Sequence, residues 1–367
     1  MLASTSVMNV SLNVVSVAVL QERRVVATRV VAKKVVVVES VRTAGNLVVV
    51  TDQVESAVVS QQVQIAVDRE NHLVQVAADL REVAEERVMP QKPLENTDNP
   101  ISYFEYAKTI LLGTTLEDKY LATPIKWDEW QGIELPNLPG RAAPINFSSE
   151  QIKFPKAPNL NIAEKKAIAL HSFANHELLA IEMMAAALLI YPHKTEEDIR
   201  FKRGIVSALK DEQKHLGLYI ARLNELGYEF GDFPLNDFFW RQMPKLKTPN
   251  QYAAVMALTF EAANLDFAQY YAKVFRDFGD DKTADILDIV LEDEISHVAF
   301  GSHWMKKWRE DKDLWSYYLE SLPFPLTPAR SKGIGFDPKI HERAMNDADF
   351  THKLDLFEDD FKITKRW

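Results

Sequence analysis

Two copies of Asp-Glu-x-x-His lie inside long apolar runs of helical period, and they constrain the fold of this chain more than any other feature. The first is Asp211-Glu212-Gln213-Lys214-His215; the second is Asp293-Glu294-Ile295-Ser296-His297. Residues three apart share a helix face, so each Glu and His pair projects in one direction. Ionisable groups aimed together out of an apolar surface are costly to bury unless something compensates them. Among the nine histidines, only His215 and His297 have Glu three residues earlier, and both also have Asp four earlier. A lone Glu-x-x-His arises by chance about once or less in a chain of this length. Two Asp-extended copies on matching helices need a common cause.

The surrounding pattern predicts four long helices. The first spans 161–191, with Asn161 and Glu164 as a cap pair and Pro192 as its stop. The second starts at Thr195, carries acids in its first turn and ends at Gly227. After a non-helical stretch, "YEFGDFPLNDFFWRQMPKLK", the third opens at Thr248-Pro249-Asn250 and ends by Gly279. The fourth runs from Asp281 to 309, and a short helix follows near 313–321. Helices joined short, long, short predict an all-α, ferritin-like four-helix bundle with one long crossover, over residues 161–322. Residues 323–367 form a Pro-containing tail.

The chain has a different character before this. Residues 1–90 are Val-rich, and up to residue 89 they hold no Pro, Phe, Tyr or Trp and a single Gly, Gly45. Val favours strands, and "TAGN" can turn a hairpin between Val-rich runs. The stretch "HLVQVAADLREVAEERV" near 72–88 reads as helix instead, so the expectation is a β-rich or mixed extension that serves packing or oligomerisation. Residues 91–160 are irregular and rich in Pro, as a segment that wraps a neighbouring domain would be.

Composition removes several functions. The chain has no cysteine, which excludes disulfides, thiolate metal sites and thiol nucleophiles. Any metal must be held by His, Asp and Glu. A net charge of −10 argues against a nucleic-acid binder. No uninterrupted run reaches the roughly 18 apolar residues of a membrane span; "LLAIEMMAAALLIY" at 178–191 is broken by Glu182 and reads as a core helix. Residues 1–38 are poor in acids and contain several Arg and Lys, but they are too rich in Val for a transit peptide, and no secretory signal is visible. The expected location is the cytoplasm.

A carboxylate-bridged dimetal site needs two further carboxylates, one from each remaining helix. The third helix offers Glu261 in "LTFEAANLDF". The first offers Glu177 or Glu182 in "HELLAIE". In an antiparallel pair, residues at one level lie equally far from the connecting turn. Glu177 matches the level of Glu212 better than Glu182, which is several ångströms nearer the turn at about 1.5 Å per residue. The expected ligands are therefore Glu177, Glu212, His215, Glu261, Glu294 and His297. Asp211 and Asp293 stand behind them to orient the histidines, and Glu182 lies close by. Two divalent ions cancel four carboxylate charges while both imidazoles stay neutral. His171 and His176, Tyr219 and Trp304 lie near this level and read as core residues. "GIGF" at 333–336 lacks the strand and helix that a nucleotide loop requires.

Over residues 103–330 the chain resembles a ferritin-like bacterial family catalogued as a domain of unknown function, DUF455. The shared pieces are "LLGTTLEDK", "LPGRAAPINF", "HELLAIE", "DEQKHL", "LGYEFGDFP", "FEAANLD" and "DEISHVAFG". "EAANLD" departs from the family pattern, which has Arg-Gly in its middle. The resemblance implies the fold and metal binding but no reaction. The doubled motif is also similar to the iron-binding helices of bacterial multicomponent monooxygenases, which implies Glu212, His215, Glu294 and His297 as ligands backed by Asp211 and Asp293. The expected function is a dimetal-carboxylate oxidoreductase holding two Fe ions, with Mn admitted by the same ligands. Its partners would be dioxygen and a small organic substrate. Iron storage and a metal-stabilised, non-enzymatic scaffold are the competing expectations.

Overall fold

The computed structural model describes residues 100–359 in full and, before them, four short strands. The chain divides into two compact units, Met1–Asp68 and Arg69–Trp367. In the first, Ser16–Gln21 pairs antiparallel with Arg24–Arg29, and Arg42–Thr43 with Asn46–Leu47. Positions 44 and 45 of the expected "TAGN" turn lie outside the described residues. The helix expected near 72–88 lies outside the described residues.

The described part of the second unit is mostly helical, with one two-stranded parallel pairing of Ile101–Ser102 and Ile125–Lys126. Two helices lie within the segment expected to be irregular, α1 (Tyr103–Leu112) and α2 (Leu116–Lys119). The long helices follow: α3 (Ala163–Ile190) and α4 (Glu196–Glu225). The third helical run is α5 (Pro249–Val255), a π-helical turn (Met256–Glu261) and α6 (Ala262–Asp277). The fourth long helix is α7 (Asp281–Trp308). Three short α-helices follow among the described residues, α8 (Leu314–Ser321), α9 (Pro338–Met345) and α10 (Ala348–Leu356).

Local chemistry explains most of these boundaries. Thr195 and Asp198 form a reciprocal capping box at the start of α4, satisfying two otherwise unpaired N–H groups. Gly227 and Gly279 adopt φ of 82° and 76° just after α4 and α6, a conformation that costs glycine little. The cap pair expected at Asn161 and Glu164 does not form. Ile162 takes the N-cap position without a side-chain bond, because a 3₁₀ turn at Ala157–Asn159 feeds the chain directly into α3. Burial holds that helix instead. By length and mean hydropathy α3 could cross a membrane, yet most of its apolar window is buried within this unit.

The expected third helix is continuous in direction but not in period. Thr259 Oγ1 donates to the carbonyl of Ala254, five residues earlier, at 2.8 Å within the π turn. Such turns are frequent at functional sites because they re-aim a side chain; Glu261 is the last residue of this one. Gly301 of α7 permits the close approach of the turn, since a Cβ there would meet Ala257 Cβ at 2.2 Å. Helix α3 packs along α4, α6 along α7, and α4 against α7, so acidic residues from all four directions meet between them.

Candidate metal centre

Two groups of buried side chains converge between these helices. The first comprises Glu177 from α3, Glu212 and His215 from α4, and Glu294 from α7. The second comprises Glu212, Glu261 from the π turn, Glu294 and His297. Within each group, one ligand atom per residue lies within 4.8 Å of the others. Divalent ions hold carboxylate oxygens at roughly 2.0–2.2 Å, so opposite ligands of one ion lie about 4.2 Å apart. Each group has the span a single ion requires. Glu212 and Glu294 belong to both groups.

The histidines are oriented from behind by the opposite motif. His215 Nε2 donates to Asp293 Oδ2 at 3.0 Å, and His297 Nε2 pairs with Asp211 Oδ2 at 3.4 Å. Those contacts turn both Nδ1 atoms toward the carboxylates. His215 Nδ1 lies 3.4 Å from Glu212 and 3.7 Å from Glu177; His297 Nδ1 lies 3.0 Å from Glu294 and 3.2 Å from Glu212. Lys214 also binds Asp293. Burial would raise the Asp293 carboxyl, but His215 and Lys214 bring it down to about 2.

The chemistry of this centre is unfinished with protein atoms alone. Both oxygens of Glu212, Oε1 of Glu261 and Nδ1 of His215 are buried without a hydrogen bond of acceptable geometry. Unpaired buried groups of this kind are costly and rare. Burial first, and then neighbouring carboxylates, push the Glu177 and Glu261 carboxyls well above the usual range. Burial opposes a charged His215, but Asp293, Glu177 and Glu212 outweigh it and raise its pKa. Buried carboxylates and imidazoles with unpaired inward atoms could hold a metal ion here.

Glu182 is not part of either group. It is buried against Arg141 and Lys119, with Arg141 forming two bonds of 2.9 and 2.7 Å and the Lys119 ammonium at 3.1 Å. Arg141 also reaches Asn175. His171 accepts backbone N–H groups from Gly231 and Phe233, and His176 stacks on Phe239 at 4.8 Å. Tyr219 is buried in the core against Phe173, and Trp304 packs with Phe201. Sequence reasoning missed Asn264, whose amide donates to Glu294 Oε1 at 2.8 Å. Its position three residues after Glu261, on the same face, was the available signal.

Beside the centre lies a cavity of about 490 Å³. Glu177 and Glu261 form part of its wall, so the centre is open on the side of these two carboxylates and closed on the side of the histidines. Ala263 and Asn264, where the sequence departs from the Arg-Gly pattern, both line it.

The family described as "Protein of unknown function (DUF455)" matches residues 107–353, which include all six converging residues. The chain belongs to the DUF455 family. An "Uncharacterized protein" of Haemophilus influenzae is 29% identical over 147 residues, covering 38% of this DUF455 chain and 51% of the relative. The chain thus spans about half the length of that curated relative. No solved structure matches it.

Proposed function

We propose that this DUF455 protein is a dimetal-carboxylate oxidoreductase of ferritin-like topology that activates dioxygen toward a small organic substrate. The observation that carries the reading is the overlap of two ligand groups through Glu212 and Glu294 beside a cavity of about 490 Å³. A structural ion needs neither a shared pair of carboxylates nor an open side. The cavity has the size of a small-molecule site, within the usual range of roughly 300–1,000 Å³.

Six nitrogen and oxygen ligands would hold two ions, iron foremost and manganese by the same chemistry. Bound there, a redox-active pair supplies electrons to dioxygen. The protein's own task is positional. Asp211 and Asp293 hold the imidazoles with Nδ1 inward, and Asn264 fixes one oxygen of Glu294. Oxygen uptake by the iron-loaded protein tests the reading. The expected result is a limited uptake in proportion to the bound metal, renewed when a reductant is added. Continued uptake and deposition of a ferrous supply would identify iron storage instead.

A further inference from the structure

The cavity beside the centre has one arginine whose side chain is left without a partner among the described residues. Several aromatic rings line the cavity, with Phe173, Phe239, Phe260, Phe267 and Tyr271 among them. Most polar residues on the wall are already engaged. His171 accepts backbone N–H groups, Asn175 bonds Arg141 and the carbonyl of Asn236, and Asn264 bonds Glu294. Arg241 pairs with Asp237. The side chain of Arg330, half-buried on the same wall, makes no hydrogen bond or ion pair with any described residue.

Its position is built rather than accidental. The neighbouring Ser331 is fully buried and bonds Tyr318 OH at 2.6 Å; that hydroxyl in turn meets Thr259 Oγ1 of the π turn at 2.8 Å. A little further on, Asp266 of α6 accepts the N–H groups of Gly333 and Asp337 and pairs with His341 at 3.1 Å. The chain approaches so closely that a Cβ on Gly333 would meet Ala263 O at 2.8 Å. Two buried polar clamps therefore fasten the segment carrying Arg330 to the helical run that carries Glu261.

A guanidinium with no partner of its own, carried into the wall of the cavity by a clamped segment, is poised for an anion, which it binds through paired, charge-assisted hydrogen bonds. Resting on the oxidoreductase reading, we infer that the substrate has an apolar, aromatic-sized body and a single anionic head, and that Arg330 binds that head. Glu150 at the cavity wall opposes a polyanion. The class is a small apolar organic acid, not a nucleotide or polymer.

Two fluorescent probes with the same body separate charge from shape: anilinonaphthalene sulfonate, an anion, and phenylnaphthylamine, which is neutral. Both are titrated into the full chain, its Arg330→Gln variant and its Arg330→Lys variant, with metal content and circular dichroism measured on the same samples. Arg330→Gln should weaken the anionic probe by about tenfold or more and leave the neutral probe within about twofold, the loss of one charge-assisted pairing. Arg330→Lys should recover part of the preference. Equal sulfonate affinity in parent and Arg330→Gln, or equal loss of both probes, overturns the inference. A parent protein without metal that still prefers the anion in an Arg330-dependent way removes the oxidoreductase reading and supports the anchor.

Discussion

Asp293 of the second motif bonds His215 of the first, and Asp211 of the first reaches His297 of the second, so each aspartate serves the facing helix rather than its own. The pairing ties α4 to α7 and fixes both imidazoles with Nδ1 toward the carboxylates. The two contacts are unequal: 3.0 Å at Asp293, which Lys214 also binds, and 3.4 Å at the more exposed Asp211. Replacing either with Asn removes charge but preserves size. Asp293→Asn should lower metal affinity or oxygen reactivity by about 10–100-fold, and Asp211→Asn by less. Metal titration and oxygen kinetics measure both; parental behaviour in Asp293→Asn would make this contact incidental.

Glu177 and Glu182 make opposite predictions although both are buried on α3. Glu177→Ala should release at least one metal with little harm to the fold. Glu182→Ala should keep the metals and leave Lys119 and Arg141 uncompensated in the interior. Breaking a buried pairing of that kind costs about 3–5 kcal/mol. Urea unfolding with metal analysis separates the two, and metal loss confined to Glu182→Ala would reverse the assignment.

What the sequence made legible was local and periodic. Asp211, Glu212 and His215, and their counterparts in α7, were visible because helical spacing places them together. Equal distance from the turn was enough to prefer Glu177, which is the α3 carboxylate the structure brings into the group. The π turn, across which Thr259 bonds the Ala254 carbonyl, was hidden, since the helical period of the sequence runs through it without a break. The partners of Glu182 were hidden too. Arg141 lies 41 positions away in sequence, in a segment that read only as irregular. Arg330 had no sequence signal, because its place depends on clamps between the C-terminal segment and α6.

His171 provides a pH signature away from the ligands. Burial holds its pKa at about 4, below the ordinary 6.5, and its Nε2 must stay unprotonated to accept the N–H groups of Gly231 and Phe233. Between those values the unfolded chain binds the extra proton. The stabilisation is therefore complete above pH 6.5 and is lost as pH falls toward 4, by about 3 kcal/mol in all. His171→Gln should remove that component, so the stability of parent and variant should converge on acidification. Parallel curves from about pH 7 to pH 4.5 would contradict the assignment.

The central claim is that six side chains hold two ions, and a metal count tests it most directly. The full chain is reconstituted anaerobically with ferrous iron, freed of excess metal and analysed beside a Glu212→Ala/Glu294→Ala variant, which lacks both shared carboxylates. The account predicts about two irons per chain in the parent and none held by the folded variant. No uptake by the parent, or two irons retained by the variant, would contradict it.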